Sequence, residues 1–369
     1  MKKYIAAVVV LALLAGACSA AEPLVIDPVQ VGVDSITADE LEVAIRQLAD
    51  PVYKGRRADT PESAAIAETL SQSLKGSGFA PIDEDYLQEF CLFDDVAVTG
   101  RDYQIWNYFR ANGWNVPKCA ANVAGIYPGT TKADEYIVLV AHRDHTGVNP
   151  SRIPADDADP AFDDDDPLTS INLGADDNAT GVAALLEIAE AVAVLADAGY
   201  RFERSIIILF ADAEEFGLWG SRYFTEHPPV PLEQIVTVIN VDMLGRNAPE
   251  HLQVIGSPEL ADFAERNPDL AVATFAAAKL LGFEVAYPKN EGAEKGVFGR
   301  SDHYSFFAAS PADARIPVVF FSAGLHDDYH RPTDTADTIN FTKVRRIAQL
   351  ALLVAWQISE MDGVPDYVE

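Results

Sequence analysis

Two glutamates, Glu214 and Glu215, sit side by side where the apolar run SIIILFA (205–211) gives way to DAEEFGLWGS. Like charges repel, and successive residues of a strand point to opposite faces. The adjacency is useful if one carboxylate holds a cation while the other moves a proton. Comparable side chains follow the other apolar runs. YIVLVA (136–141) leads into His142-Arg143-Asp144-His145 and IVTVINV (235–241) into Asp242, while PVVFF (317–321) precedes SAGLHDDYHRPTD, which contains His326, His330 and Asp334. GADDNATG (174–181) places Asp176 and Asp177 just ahead of a helical stretch. Each element alone has an ordinary reading: an N-cap cluster for DDNATG, a dipole-favoured surface pair for the two glutamates. In combination they gather many carboxylates with no visible positive partner, a costly arrangement unless cations compensate.

The elements that must position these groups are strands apolar on both faces, alternating with helices. Besides the runs above, NVAGIY (122–127) reads as a strand. Helical spacing appears in TPESAAIAETLSQSLKGSGF, in 181–199, in 259–282 with a break at Pro268, and in 341–361. This predicts an α/β three-layer sandwich with a mixed, mainly parallel central sheet flanked by helices. In such a sheet ligands gather outside the carboxyl ends of the strands, where the candidate residues fall. No internal repeat is present, so one domain is expected over 41–369, with an acidic loop insertion at 148–173. That insertion contains DDADPAFDDDDP, whose seven aspartates lack calcium-loop spacing and read as a solvated loop.

The 369 residues are 49% hydrophobic, enough for a sizeable core, and the formal net charge of −30 argues against nucleic acid as a partner. MKKYIAAVVVLALLAGAC opens with two lysines, continues apolar and ends in small residues, as a secretory signal does. Leu14-Ala15-Gly16-Ala17 before Cys18 resembles a bacterial lipobox. Residues 1–17 are therefore expected to be a signal peptide, and 18–40 a tether lipidated at Cys18. Ordinary cleavage after Ala20 or Ala21 is the alternative. The expected location is outside the cytoplasm, anchored to a bacterial membrane by lipid alone and facing the periplasm or the exterior. Lipidation would leave Cys91 and Cys119, an even pair suited to a disulfide in an oxidising compartment.

His142-x-Asp144, GADDNATG, AEEFGLWGS, NVDMLGR, GRSDH and YHRPTD occur in the order and approximate spacing of the secreted bacterial two-zinc aminopeptidases. The chain resembles that family over roughly residues 50–360. Its relatives include glutamate carboxypeptidase, the transferrin receptor ectodomain and glutaminyl cyclase. The resemblance implies two Zn2+ per chain bridged by Asp177, with His142 and Asp242 completing one site and Glu215 and His330 the other. Imidazole and carboxylate donors suit zinc, and two zinc ions balance three carboxylates and one hydroxide. Glu214 would be the general base toward a metal-bridging hydroxide. Asp144 would accept the second ring N–H of His142, and Asp334 completes the H-x-P-x-D continuation that favours His330 over His326. The resemblance also implies a cis peptide after Asp177, an oxyanion contact from Tyr329, and an Arg300 whose backbone carbonyl helps bind a substrate amine. His303 reads as a wall or supporting residue, and His145, His227 and His251 as surface or structural. The implied activity is removal of N-terminal residues from peptides. A glutaminyl cyclase-like transferase or a metallocarboxypeptidase is the alternative, with a metal-free receptor-like relative behind them.

Overall fold

The computed structural model describes residues 28–91, 111, 117–148 and 171–368. The signal segment, Cys18 and residues 149–170 of the acidic insertion lie outside the described residues. Nine strands form one sheet: β1 (Ala80–Pro81), β2 (Leu87–Cys91), β3 (Cys119–Tyr127), β4 (Lys132–His142), and β7 (Arg204–Ala211), β8 (Ile235–Val241), β9 (His251–Ile255), β10 (Glu284–Ala286) and β11 (Val318–Ser322). Between β4 and β7 the short strands β5 (Gly147–Val148) and β6 (Ile171–Asn172) pair with each other and join the ends of the acidic insertion. The order across the large sheet is β1-β3-β7-β4-β8-β11-β9-β10, with β2 also on β3. Strands β7, β4, β8 and β11 run parallel at its centre, and antiparallel pairs lie toward the edges.

Why the centre reads as continuous apolar sequence is plain from β4. Ile137, Leu139 and Ala141 enter one core, while Val138 and Val140 enter the other. The first core packs under helices Ala38–Leu48, Pro61–Gly76, Thr180–Asp197, Pro268–Leu280 and Phe341–Glu360, the second under Trp219–Glu226 and His303–Ala309. Each fully buried Leu, Ile or Phe contributes about 1.5–3 kcal/mol of burial. Helix starts follow local chemistry: Thr60 accepts from Ser63 N ahead of Pro61, and Asn340 caps through Lys343 N.

The expected tether through residue 40 is corrected. A helix spans Gln30–Ser35, and Val29, Val33 and Ile36 are core residues. A Cβ on Gly32 would come 2.8 Å from Leu195, so the helix seats directly on Thr180–Asp197. Burial of these apolar side chains overrides the tether reading, and the folded body includes residues 29–40. Strands β9 and β10, too short and too polar to stand out in the sequence, extend the sheet beyond the five expected runs. Cys91 and Cys119 face each other in the β2–β3 register and are joined by a disulfide.

Candidate metal centre

Each donor comes from a place where regular backbone ends. His142 is the last residue of β4, Asp242 directly follows β8, and Glu214 and Glu215 open a 3-10 turn after β7. Asp177 lies in the turn Ala175–Ala179 before helix Thr180–Asp197, and His330 lies in the turns after β11. The peptide between Asp177 and Asn178 is cis, as the resemblance implies. Several non-glycine residues at or beside these turns hold positive φ, among them Ala213 (55°), Leu218 (62°), Met243 (59°) and His330 (55°). Conformations of that kind persist where surrounding structure enforces them, and they concentrate at functional sites.

Asp177 organises the geometry. Its Oδ1 is 3.2 Å from His142 Nε2, and its Oδ2 is 3.0 Å from His330 Nε2. Asp242 Oδ1 lies 3.3 Å from His142 Nε2, and Glu215 Oε2 lies 3.0 Å from His330 Nε2. Two donors bound to one zinc at about 2.0–2.1 Å in tetrahedral array sit about 3.3 Å apart. The four separations therefore fit two ions sharing Asp177, and the His/carboxylate donor set fits zinc. All five expected ligands are brought together in two groups, His142-Asp177-Asp242 and Asp177-Glu215-His330, the second with His145 beside it.

His145, expected to be surface or structural, is buried at the second group and was missed as a site residue. Its Nδ1 is 2.7 Å from Glu215 Oε1. That is shorter than a ligand–ligand edge and matches a hydrogen bond, so His145 donates to Glu215 and leaves Oε2 for the ion. Gly174 makes room for the ring: with φ of 64°, it would bring a Cβ within 2.5 Å of His145 Cγ. Ser301 plays the corresponding part on the other side, donating its hydroxyl to Asp242 Oδ2 at 2.8 Å.

Asp144 departs from expectation. His142 Nδ1 is 3.2 Å from the backbone carbonyl of Asp144, and the Asp144 carboxylate is 3.8 Å away. The carboxylate instead accepts from the backbone N–H of Glu214 at 3.0 Å and of Glu215 at 3.4 Å, fixing the start of the turn that carries both glutamates. β4 ends at His142, so strand alternation no longer sets the direction of Asp144. Asp334 supports the bridging turn, accepting from Asp176 N (3.0 and 3.1 Å) and Asp177 N (3.1 Å). His326 pairs with Asp176 Oδ2 at 3.3 Å, away from the two donor groups. His303 is buried between Phe298 and Phe320, and burial lowers its pKa to about 3, which keeps it a neutral wall.

A positive partner does exist beneath the carboxylates. Arg56 is fully buried and donates to the carbonyls of Leu48, Arg143, Leu173 and Gly174. Burial lowers its pKa to about 10 against the opposing field of Asp177, Asp334, Asp144 and Glu215, so it remains charged at neutral pH. Arg143 is buried too, held by Asp212, Ser63 and the Ala121 carbonyl. Neither guanidinium touches the candidate ligands, so both fasten the loops while the donors stay available.

The adjacent glutamates are driven apart electrostatically. For Glu214, burial pushes the pKa well above the usual carboxylate range; His142 opposes this and Glu215 adds to it. For Glu215, burial acts upward as well, but His330 and His145 outweigh it and bring the carboxyl down to about 2. Opposed environments of this kind separate an acid–base group from a permanently ionised one. Tyr329 stacks on His330 at 3.8 Å between ring centroids, and burial followed by Asp177 and Glu215 raises its pKa well above 10. Its hydroxyl therefore keeps its proton. Arg300 donates to the Ala293 carbonyl at 2.7 Å and to Tyr329 Oη at 3.4 Å. These residues line a cavity of about 510 Å3 that also exposes His142, Asp177, Glu214, Glu215, Asp242 and His330.

Known proteins resemble the chain in sequence and in fold. Aminopeptidase NAALADL1 of Rattus norvegicus is 32% identical, over 79% of this chain and 43% of its own length. The probable glutamate carboxypeptidase LAMP1 of Arabidopsis thaliana is 25% identical, over 66% of this chain and 33% of its own. The chain thus spans less than half the length of these curated relatives. Among solved structures, the LapA aminopeptidase of Legionella pneumophila superposes with a TM-score of 0.61 at 19% identity, over 96% of this chain and 80% of that one. The zinc aminopeptidase of Bacillus subtilis gives 0.62 at 15%, over 90% and 98%. A glutaminyl cyclase of Bacteroides thetaiotaomicron gives 0.60 at 22%, over 87% and 98%. These three share the fold. The model of Peptidase family M28 matches residues 122–355, more than half of the chain and the span that contains all five candidate ligands and Glu214, and the chain belongs to that family.

Proposed function

We propose that the protein is a zinc-dependent aminopeptidase that holds two Zn2+ per chain and removes N-terminal residues from peptides. The observation that carries this is the bridging arrangement of Asp177, one oxygen toward His142 and the other toward His330. Zinc bound there would supply Lewis acidity toward the scissile carbonyl and lower the pKa of water. The chain's own groups do the rest. Glu214 takes the proton from the attacking water as the O–C bond forms, and returns it to the leaving nitrogen as the C–N bond breaks. Its raised pKa suits a group that must hold the proton between the two steps. Tyr329 donates its hydroxyl proton toward the carbonyl oxygen as negative charge develops there.

A carboxypeptidase needs a cation for the terminal carboxylate. Among the described residues lining the cavity, the guanidinium is that of Arg300, and it is already engaged by Ala293 O and Tyr329 Oη. Arg143 is committed to Asp212. A panel of aminoacyl p-nitroanilides with N-acetylated counterparts tests the reading. Free-amine substrates should be cleaved and blocked ones spared, with activity lost to a chelator and restored by zinc. Release of C-terminal residues from blocked peptides would reject it.

Export with lipid attachment at Cys18 belongs to the same proposal, supported by the leader-like start and by the Cys91–Cys119 bridge that leaves Cys18 as the odd cysteine. Cys18→Ala should abolish lipid labelling and membrane association. Undiminished membrane retention in that variant would reject the anchor.

A further inference from the structure

We propose that Glu294 selects substrates whose N-terminal residue carries a cationic side chain, lysine or arginine. The inference rests on the aminopeptidase reading and extends it to the substrate class. Apart from Glu214 and the metal ligands, Glu294 and Arg300 are the acidic and basic side chains that line the cavity. Arg300 is held by Ala293 O and Tyr329 Oη, which leaves Glu294 as the carboxylate in this lining, beyond Glu214 and the candidate ligands, that a bound cationic side chain can meet. Its carboxylate is fixed from two directions: Gln253 Nε2 donates to Oε1 at 2.8 Å, and the backbone N–H of Lys289 donates to Oε2 at 3.0 Å. Gln253 is itself buried on β9, at 8% exposure. It fits because Gly324, with φ of 89°, has no Cβ; one there would come 2.9 Å from Gln253 Nε2.

Among the described residues no cationic side chain forms an ion pair with Glu294. Each of its oxygens has taken one donor and retains lone-pair capacity for another. Gln253 also explains why the carboxylate stays in the cavity wall instead of turning to solvent. Met243, Val297, Phe320 and Leu325 give the same cavity apolar wall. An apolar stem ending in a cation matches that combination, since lysine and arginine lay their methylenes on apolar surface while the charged head finds polar partners. A leucine or norleucine side chain would fill the same wall but leave the fixed carboxylate unanswered.

The test reads a ratio. Lysyl- and norleucyl-p-nitroanilide are compared on the same zinc-loaded samples of wild type, Glu294→Gln and Glu294→Lys, so that partial misfolding cancels. Wild type should favour lysyl by about tenfold in kcat/KM, the scale of a hydrogen bond to a charged group. Glu294→Gln should bring the ratio near unity, and Glu294→Lys should reverse it. A ratio that is the same in all three proteins overturns the proposal, including the case in which Glu294 binds the α-amine and both substrates suffer equally. Absence of turnover for every free-amine substrate in wild type overturns the aminopeptidase reading itself, and this inference with it. That result is distinguishable from cleavage without side-chain preference.

Discussion

The two halves of the candidate metal centre use one device in different settings. In the half built on β4 and β8, Ser301 holds Asp242 Oδ2 so that Oδ1 faces His142, and that imidazole is 1% exposed. In the half built on the turns after β7 and β11, His145 holds Glu215 Oε1 so that Oε2 faces His330, whose side chain is 34% exposed. The first half is sealed into the sheet, and the second opens on the cavity beside Tyr329. The difference teaches that ligand direction is set by the donor behind each carboxylate, and that openness is set by where the imidazole is mounted. A strand end gives a closed mount, a turn with positive φ an open one.

The strongest way to break the comparison is to remove what the halves share. Asp177→Asn should drop zinc from two per chain toward none and abolish activity. Retention of one tightly bound zinc would mean that the halves do not depend on a common bridge. Next comes the group that belongs to neither half as a ligand: Glu214→Gln should keep both zinc ions and lose about 10²- to 10⁴-fold in kcat. Metal analysis beside single-turnover rates checks it, and metal loss in this variant would reassign the glutamates.

The halves can then be separated. His145→Ala should weaken one of the two stepwise zinc affinities by about 10- to 100-fold, the cost of removing a group that orients a ligand. His145→Gln, which can still donate, should recover part of it. Chelator competition reads both steps, and unchanged affinities would show that Glu215 needs no anchor. Ser301→Ala removes a hydroxyl rather than an imidazole, and should weaken the other step by no more than about tenfold. Smallest for the centre is the paired change Cys91→Ser with Cys119→Ser. It should leave zinc content intact while lowering stability by about 3–4 kcal/mol, from the 28-residue closure in the chain-entropy model. Chemical denaturation measures it, and loss of zinc in that variant would show that the bridge supports the centre.

Four of the five candidate ligands are legible because they follow apolar runs and sheet topology collects strand ends on one edge, and Asp177 because it stands just ahead of a helical stretch. The same logic failed one or two residues further on. Strand alternation would put Asp144 on the same face as His142, but β4 ends at His142, so the carboxylate turns to the N–H groups of Glu214 and Glu215. His145 lay in the same short turn, where no periodicity indicates burial; Gly174, remote in sequence, is what opens its place. Arg56 stood in a conspicuous Gly-Arg-Arg run, yet nothing local distinguishes a fully buried guanidinium from Arg57 beside it. Helix Gln30–Ser35 is hidden in the sequence because its apolar residues are few and follow a longer apolar stretch. Its partner, helix Thr180–Asp197, lies some 150 residues away in sequence.

The disulfide has a consequence for the covalent integrity of the chain. Cys91 and Cys119 pin both ends of the intervening segment to adjacent strands of one sheet. A peptidase cut anywhere between them divides the polypeptide but not the molecule, because the pieces remain linked through sulfur and through the β2–β3 ladder. Nicked protein would therefore run as one species until reduced and then separate into a short N-terminal and a long C-terminal fragment. All five candidate ligands and Glu214 would travel on the longer piece.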